Sequence, residues 1–148
     1  MYHPKRLFMN GLFETIREVN SFDGNTLITT VRDSSDREFF KEVTQPRLIT
    51  PAVIVDAMFQ TGGLLEFFTS SITVLPYRIR RITFFNTPGK NQDYLCLTTR
   101  THSGDETNTY GLRLTDNQGN LFIEVEDFQM IKLNTVEEPF RIDRKVHY

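Results

Sequence analysis

Thr50-Pro51-Ala52-Val53-Ile54-Val55-Asp56-Ala57-Met58-Phe59-Gln60-Thr61-Gly62-Gly63-Leu64-Leu65 is the stretch that decides how this chain folds. Threonine before proline is a sound helix start, and it predicts Thr50 as the N-cap and Pro51 as the first helical residue. From there Val53, Ile54, Val55, Ala57, Met58, Phe59, Leu64 and Leu65 make the helix apolar on almost every side. A helix of that kind belongs inside a fold. Asp56 lies on it, with Gln60 one turn later on the same face. An acid carried into an apolar interior is costly unless it is paired, hydrogen-bonded or used in chemistry. Gly62-Gly63 predicts close approach of the helix to a sheet. The run Thr69-Ser70-Ser71-Ile72-Thr73 ends the helix near Ser70.

Outward from the helix the chain reads as strands. Residues 12–19 and 26–31, separated by Asp23-Gly24-Asn25, look like a hairpin ahead of it. After it come four strand-like segments at about 77–85, 94–101, 109–115 and 121–133. Turn formers separate them, as in Thr87-Pro88-Gly89-Lys90-Asn91 and Asp116-Asn117-Gln118-Gly119-Asn120. Tyr110, Leu112 and Leu114 share one face before the last turn, and Leu121, Ile123 and Val125 alternate after it. Residues 134–148, charged and interrupted by Pro139, read as a surface extension. One helix greasy all round needs a sheet that curls about it. The expected fold class is therefore α+β, an antiparallel sheet wrapped around a central helix, the hotdog arrangement.

At 148 residues the chain fits a single domain, 1–148, with its core at about 7–133. The balance of 17 basic against 19 acidic residues leaves no footprint for nucleic acid. One cysteine, Cys96, excludes an internal disulfide framework and a thiolate zinc cluster, so no metal is expected and a reducing cytoplasm is the natural compartment. Between Leu95 and Leu97 it reads as core rather than nucleophile. The start, Met1-Tyr2-His3-Pro4-Lys5-Arg6, has no apolar run of the signal-peptide kind. Asp56 and Gln60 are expected to keep the apolar helix short of a membrane span.

The helix segment Pro51 to Gln60 resembles the motif of 3-hydroxyacyl-carrier-protein dehydratases, in which an acid is followed four residues later by glutamine. Leu75-Pro76-Tyr77-Arg78-Ile79 is similar to a strand opening of dehydratase domains in modular polyketide synthases. Leu7-Phe8-Met9-Asn10-Gly11-Leu12-Phe13 resembles the opening of their second hotdog, with Asn-Gly-Leu where that family has His-Gly-Pro. Leu112-Arg113-Leu114-Thr115-Asp116 with Gly119 also fits. The resemblance is closest to the C-terminal, Asp-bearing hotdog of such domains.

That resemblance implies the elimination of water from a 3-hydroxyacyl thioester. A histidine takes the α-proton and a helical carboxylic acid serves the departing hydroxyl. Asp56 is then the acid and Gln60 its support, with Pro51, Ala52, Val53, Phe59, Gly63 and Pro76 as substrate-binding residues. Burial favours a protonated Asp56. An amide at the helix start, of Ala52 or Val53, can meet the thioester oxygen. Phe39-Phe40-Lys41-Glu42-Val43-Thr44-Gln45-Pro46, where the family's loop carries histidine, has none, and His3, His102 and His147 read as surface residues. The implied partners are an acyl carrier protein, whose phosphopantetheine holds the substrate with no other cofactor, and a second hotdog, either another copy or a His-bearing one. Arg78, Arg80 and Arg81 read either as a solvated strand face or as a greeting for that carrier. Two other readings stay open: an acyl thioesterase on the same scaffold, and a non-catalytic hotdog that pairs with a partner or holds an acyl chain.

Overall fold

The computed structural model describes residues 15–34 and 51–133. Strands β1 (Ile16–Phe22) and β2 (Thr26–Val31) precede helix α1 (Ala52–Ser70). Strands β3 (Val74–Phe84), β4 (Tyr94–Ser103), β5 (Thr107–Thr115) and β6 (Leu121–Lys132) follow it. They form one antiparallel six-stranded sheet in the order β1-β2-β4-β5-β6-β3. This is the wrapped-helix arrangement that the apolar helix demanded.

Short polar devices close the hairpins. Asp23 Oδ1 accepts the backbone N–H of Asn25 at 3.1 Å and of Thr26 at 2.8 Å, and Gly24 takes the left-handed conformation the turn needs. Asp116 does the same for Gln118 and Asn120 before β6. Residues 12–14 of the expected first strand lie outside the described residues. The strand instead runs up to its turn, because Phe22 pairs with Leu27.

Alternation drives the core. Leu27, Thr29 and Val31 of β2, Tyr94, Cys96 and Thr98 of β4, and Tyr110, Leu112 and Leu114 of β5 are buried beneath α1. In β6 the inward set is Ile123 and Val125, then Phe128 and Met130. The change of parity comes from a bulge at Asp127, whose φ of 51° is left-handed, and it keeps both large side chains inside.

The helix starts one residue later than its sequence indicated. Pro51 occupies the N-cap position with ψ 77°, outside the helical range, and Thr50 lies outside the described residues. The predicted end at Ser70 holds, where Ser71 turns left-handed and its N–H bonds the Phe67 carbonyl. At 19 residues α1 is long and apolar enough to cross a membrane, which corrects the expectation that Asp56 and Gln60 cut it short. More than half of it is buried inside the sheet, as a core helix is. Gly62 explains how close it sits: a Cβ there would lie 2.9 Å from Met130 Sδ and 3.4 Å from the Phe128 ring.

Candidate functional site

Helical spacing places Ala52, Asp56, Phe59, Gln60, Gly63 and Phe67 along one stripe of α1, and each of them is partly exposed. The stripe borders the β6–β3 side of the sheet. The Phe59 ring stacks on Phe128 with centroids 4.8 Å apart. Pro76 on β3 stands opposite Met130, whose sulfur lies against Gly62. Five of the expected site residues, Ala52, Asp56, Phe59, Gln60 and Gly63, thus share a surface, and Pro76 sits at its border. Val53 does not join them: its side chain is 4% exposed and packs in the core. Pro51, just ahead of the helix, is half-buried. The first helical hydrogen bond runs from the Val55 N–H to the Pro51 carbonyl, so the earlier amides at Ala52 and Val53 have no acceptor within the helix.

Asp56 is half-buried, and Gln60 Nε2 donates to its Oδ2 at 2.6 Å. Burial raises the carboxyl's pKa above the ordinary aspartate value, and the Gln60 hydrogen bond, which favours the charged form, offsets part of that rise. Gln60 therefore orients the carboxyl through that hydrogen bond.

No histidine among the described residues reaches Asp56. His102 is exposed near the end of β4, two residues beyond Arg100, whose guanidinium bonds Glu66. Asp56 and Glu66 are ten residues apart on α1, about 15 Å along its axis. His3 and His147 lie outside the described residues.

The largest polar feature of the interior was missed from sequence. Glu66 is 2% exposed, and its Oε1 accepts from Arg100 Nη1 at 2.9 Å, Asn108 Nδ2 at 2.7 Å and the Tyr110 hydroxyl at 2.6 Å. Ser70 Oγ reaches Oε2 at 3.2 Å. Burial alone would raise the Glu66 pKa; the donors, Tyr110 and Arg100 foremost, outweigh it and hold the carboxyl below the ordinary glutamate value. Burial, and then the Glu66 carboxylate, drive the Tyr110 hydroxyl far up. Arg100 also bonds the Gly24 carbonyl and Asn25 Oδ1, tying the β1–β2 turn to the helix. A lone acid between Leu65 and Phe67 was the available clue, since it requires donors from elsewhere in the fold.

The family model of the polyketide synthase dehydratase N-terminal domain matches residues 2–139. The chain belongs to that family. Among curated proteins none matches it. Solved structures similar to this dehydratase-family chain include smu.793 from Streptococcus mutans UA159 bound to acetyl-CoA. That likeness has 16% identity and a TM-score of 0.64 over 85% of this chain and 94% of that one. A hypothetical thioesterase from Streptococcus pneumoniae TIGR4 with coenzyme A matches at 12% identity and TM-score 0.62, over 82% and 88%. An inactive mutant of the CurJ dehydratase, in complex with a compound, matches at 22% and 0.61, over 85% of this chain and 43% of that one. At such identities the likeness establishes the hotdog fold. The chain spans less than half the length of the CurJ dehydratase and nearly the whole of the other two.

The other residues singled out from sequence lie away from Asp56 on the strands of this family member. Cys96 is fully buried, and burial pushes its thiol up to about 11, so it is core. Arg78, Arg80 and Arg81 are exposed, with Arg80 paired to Asp127 and Glu126. A cavity of about 340 Å³ opens on the sheet face away from α1, over Gly111, Leu97 and Thr99. Its charged rim is already paired, as in Arg113 with Glu124 at 3.0 Å, and Asp56 has no part in it.

Proposed function

We propose that this chain is the Asp-bearing half of a (3R)-hydroxyacyl-carrier-protein dehydratase of the polyketide or fatty-acid type. Its catalytic histidine comes from another hotdog. The observation that carries this reading is Asp56: a half-buried carboxyl with a raised pKa, aimed by Gln60, on a stripe beside β3, an edge strand of the sheet among the described residues. The assignment to the Asp-bearing half rests on that carboxyl and on the absence of histidine from residues 39–46. It does not rest on the family's name, which is that of the N-terminal hotdog.

In the reaction, the partner's histidine removes the α-proton of the thioester and the electron pair forms the α,β double bond. The β C–O bond breaks as the Asp56 carboxyl delivers its proton to the leaving hydroxyl, and water departs. Each proton is accounted for, and the enoyl thioester remains on the phosphopantetheine of an acyl carrier protein with no further cofactor. The amides of Ala52 and Val53, which have no acceptor within the helix, would receive charge on the thioester oxygen. Pro51, Ala52, Phe59, Gly63 and Pro76 line the approach, and Val53 contributes only its backbone.

The second hotdog seats on β3. That edge strand runs eleven residues and exposes Leu75, Tyr77 and Phe84, with Phe85 just beyond. The opposite edge, β1, is broken by two register shifts and carries Arg17 and Glu18 outward, features that blunt an edge.

Hydration of an enoyl thioester, the reverse reaction, tests this. Activity is expected only when a His-bearing hotdog is mixed with the chain, and Asp56→Asn should abolish it. Silence of the mixture, or an Asp56→Asn variant as active as wild type, would sink the proposal. The near-complete overlap with single-hotdog structures, one of them a thioesterase, supports a second reading. Asp56-dependent cleavage of an acyl thioester by the chain alone would establish it. A purely binding hotdog is what would remain if both assays fail.

A further inference from the structure

Among the described residues three other than glycine have a left-handed φ: Ser71, Asn91 and Asp127. Ser71 ends a helix and Asn91 lies in a turn, where that conformation is usual. Asp127, at 51°, lies inside strand β6, where it opposes the steric preference of a side chain. The β5–β6 register shows what it does. Tyr110 faces Phe128 and Leu112 faces Val125, so Glu126 and Asp127 together stand opposite the single residue Gly111. Without that extra residue, the alternation set by Ile123 and Val125 would send Asp127 and Gln129 inward and turn Phe128 and Met130 out.

Both side chains that the bulge turns inward meet α1. The Phe128 ring stacks on Phe59, with centroids 4.8 Å apart and planes 25° from parallel. Met130 Sδ lies where a Cβ on Gly62 would come within 2.9 Å of it. Phe59 and Gly62 are one turn apart, and Asp56 is one turn before Phe59. These two contacts set the rotation of α1 against β6, and with it the direction in which the Asp56 side chain leaves the helix. Arg80 holds the bulge from the sheet face away from α1. Opposite Asp127 across the β3–β6 ladder, its Nε donates to Asp127 Oδ2 at 2.5 Å and its Nη2 to Glu126 Oε1 at 3.1 Å.

We propose that Asp127 is a positioning residue of the Asp56 site: its left-handed bulge, held by Arg80, turns Phe128 onto Phe59 and so aims Asp56. This rests on the reading of Asp56 as the site of chemistry. Asp127 acts from the far face of the sheet, through Phe128, Phe59 and the helix.

The test replaces Asp127 with glycine, which takes the left-handed conformation freely, and with valine, which resists it. Asp127→Ala stands in for valine if that variant fails to fold. In the full chain, NMR of the carboxyl carbon follows the titration of Asp56. Paired with a His-bearing hotdog, the same variants are assayed for hydration of an enoyl thioester. In Asp127→Val the Asp56 midpoint should move toward the ordinary aspartate value, as a less firmly held helix lets water reach the carboxyl. Its kcat should fall by about tenfold or more, the scale of a misaimed catalytic group. Asp127→Gly should stay within about twofold of wild type, because glycine keeps the bulge without a clamp. An unmoved Asp56 titration in the folded valine or alanine variant overturns the proposal and leaves Asp127 a purely structural role, whatever the melting temperature does. So does a glycine variant as impaired as the valine one. A shifted titration together with an Asp56→Asn variant as active as wild type keeps the positioning and removes Asp56 as the site of chemistry.

Discussion

Asp56 and Glu66 sit on the same helix and have opposite electrostatic characters, in the reverse of the order that burial alone would give. Glu66 is the more deeply buried, yet its pKa is lowered; Asp56 is only half-buried, yet its pKa is raised. The difference lies in the donors. Glu66 is met by a guanidinium, an amide and two hydroxyls, whereas the described bond to Asp56 is a single amide from Gln60. A buried carboxylate that the fold fully satisfies is a structural tie. One left short of donors remains able to hold and give a proton.

Substitutions can break this contrast. The largest effect is expected for Asp56→Asn, which should lower enoyl-thioester hydration by the paired chain by about 10²-fold or more, the scale of losing a general acid. Its melting temperature should stay level or rise. Glu66→Ala should do the converse, costing about 3–5 kcal/mol of stability in a urea titration because Arg100 and Tyr110 are left without their acceptor.

The two carboxyls should also respond to pH with opposite sign. Glu66 has a folded pKa below its unfolded one, so its contribution is present above the ordinary glutamate range and is lost as pH falls through the folded value. Asp56 has a folded pKa above its unfolded one, so its contribution is present at low pH and is lost as pH rises through the folded value. Melting temperatures across the acid range should therefore show Glu66→Gln losing most of its deficit at low pH. Asp56→Asn should gain on wild type as pH rises. Matching slopes for the two variants would erase the distinction.

The smallest expected effect sharpens the comparison at the two glycines. Gly63→Ala should stabilise the fold by about 0.5–1 kcal/mol, the usual gain in a helix interior. Gly62→Ala should fall short of that gain, since the end of the Met130 side chain must shift to admit the Cβ. Paired thermal melts read both.

Much of this was legible in residues 50–65. Apolar positions on every side of a helix leave no solvent face, so the wrapped sheet, the helix end at Ser70 and the four later strands follow from local patterns. The Asp56–Gln60 contact was equally visible, because residues four apart on a helix must be neighbours. Other features were not. The bulge at Asp127 reverses the alternation of β6, and no simple period-two pattern anticipates it. Glu66 was overlooked because Arg100, Asn108 and Tyr110 lie 34, 42 and 44 residues away.

The sequence by itself determined that one apolar helix must be enclosed, and that Asp56 and Gln60 would share a face of it, because both depend only on spacing along the chain. The tertiary structure decided which carboxyl would be tied down by donors and which would have its pKa raised. That choice depends on donors brought from β4 and β5, which meet Glu66 only once the sheet has curled around the helix.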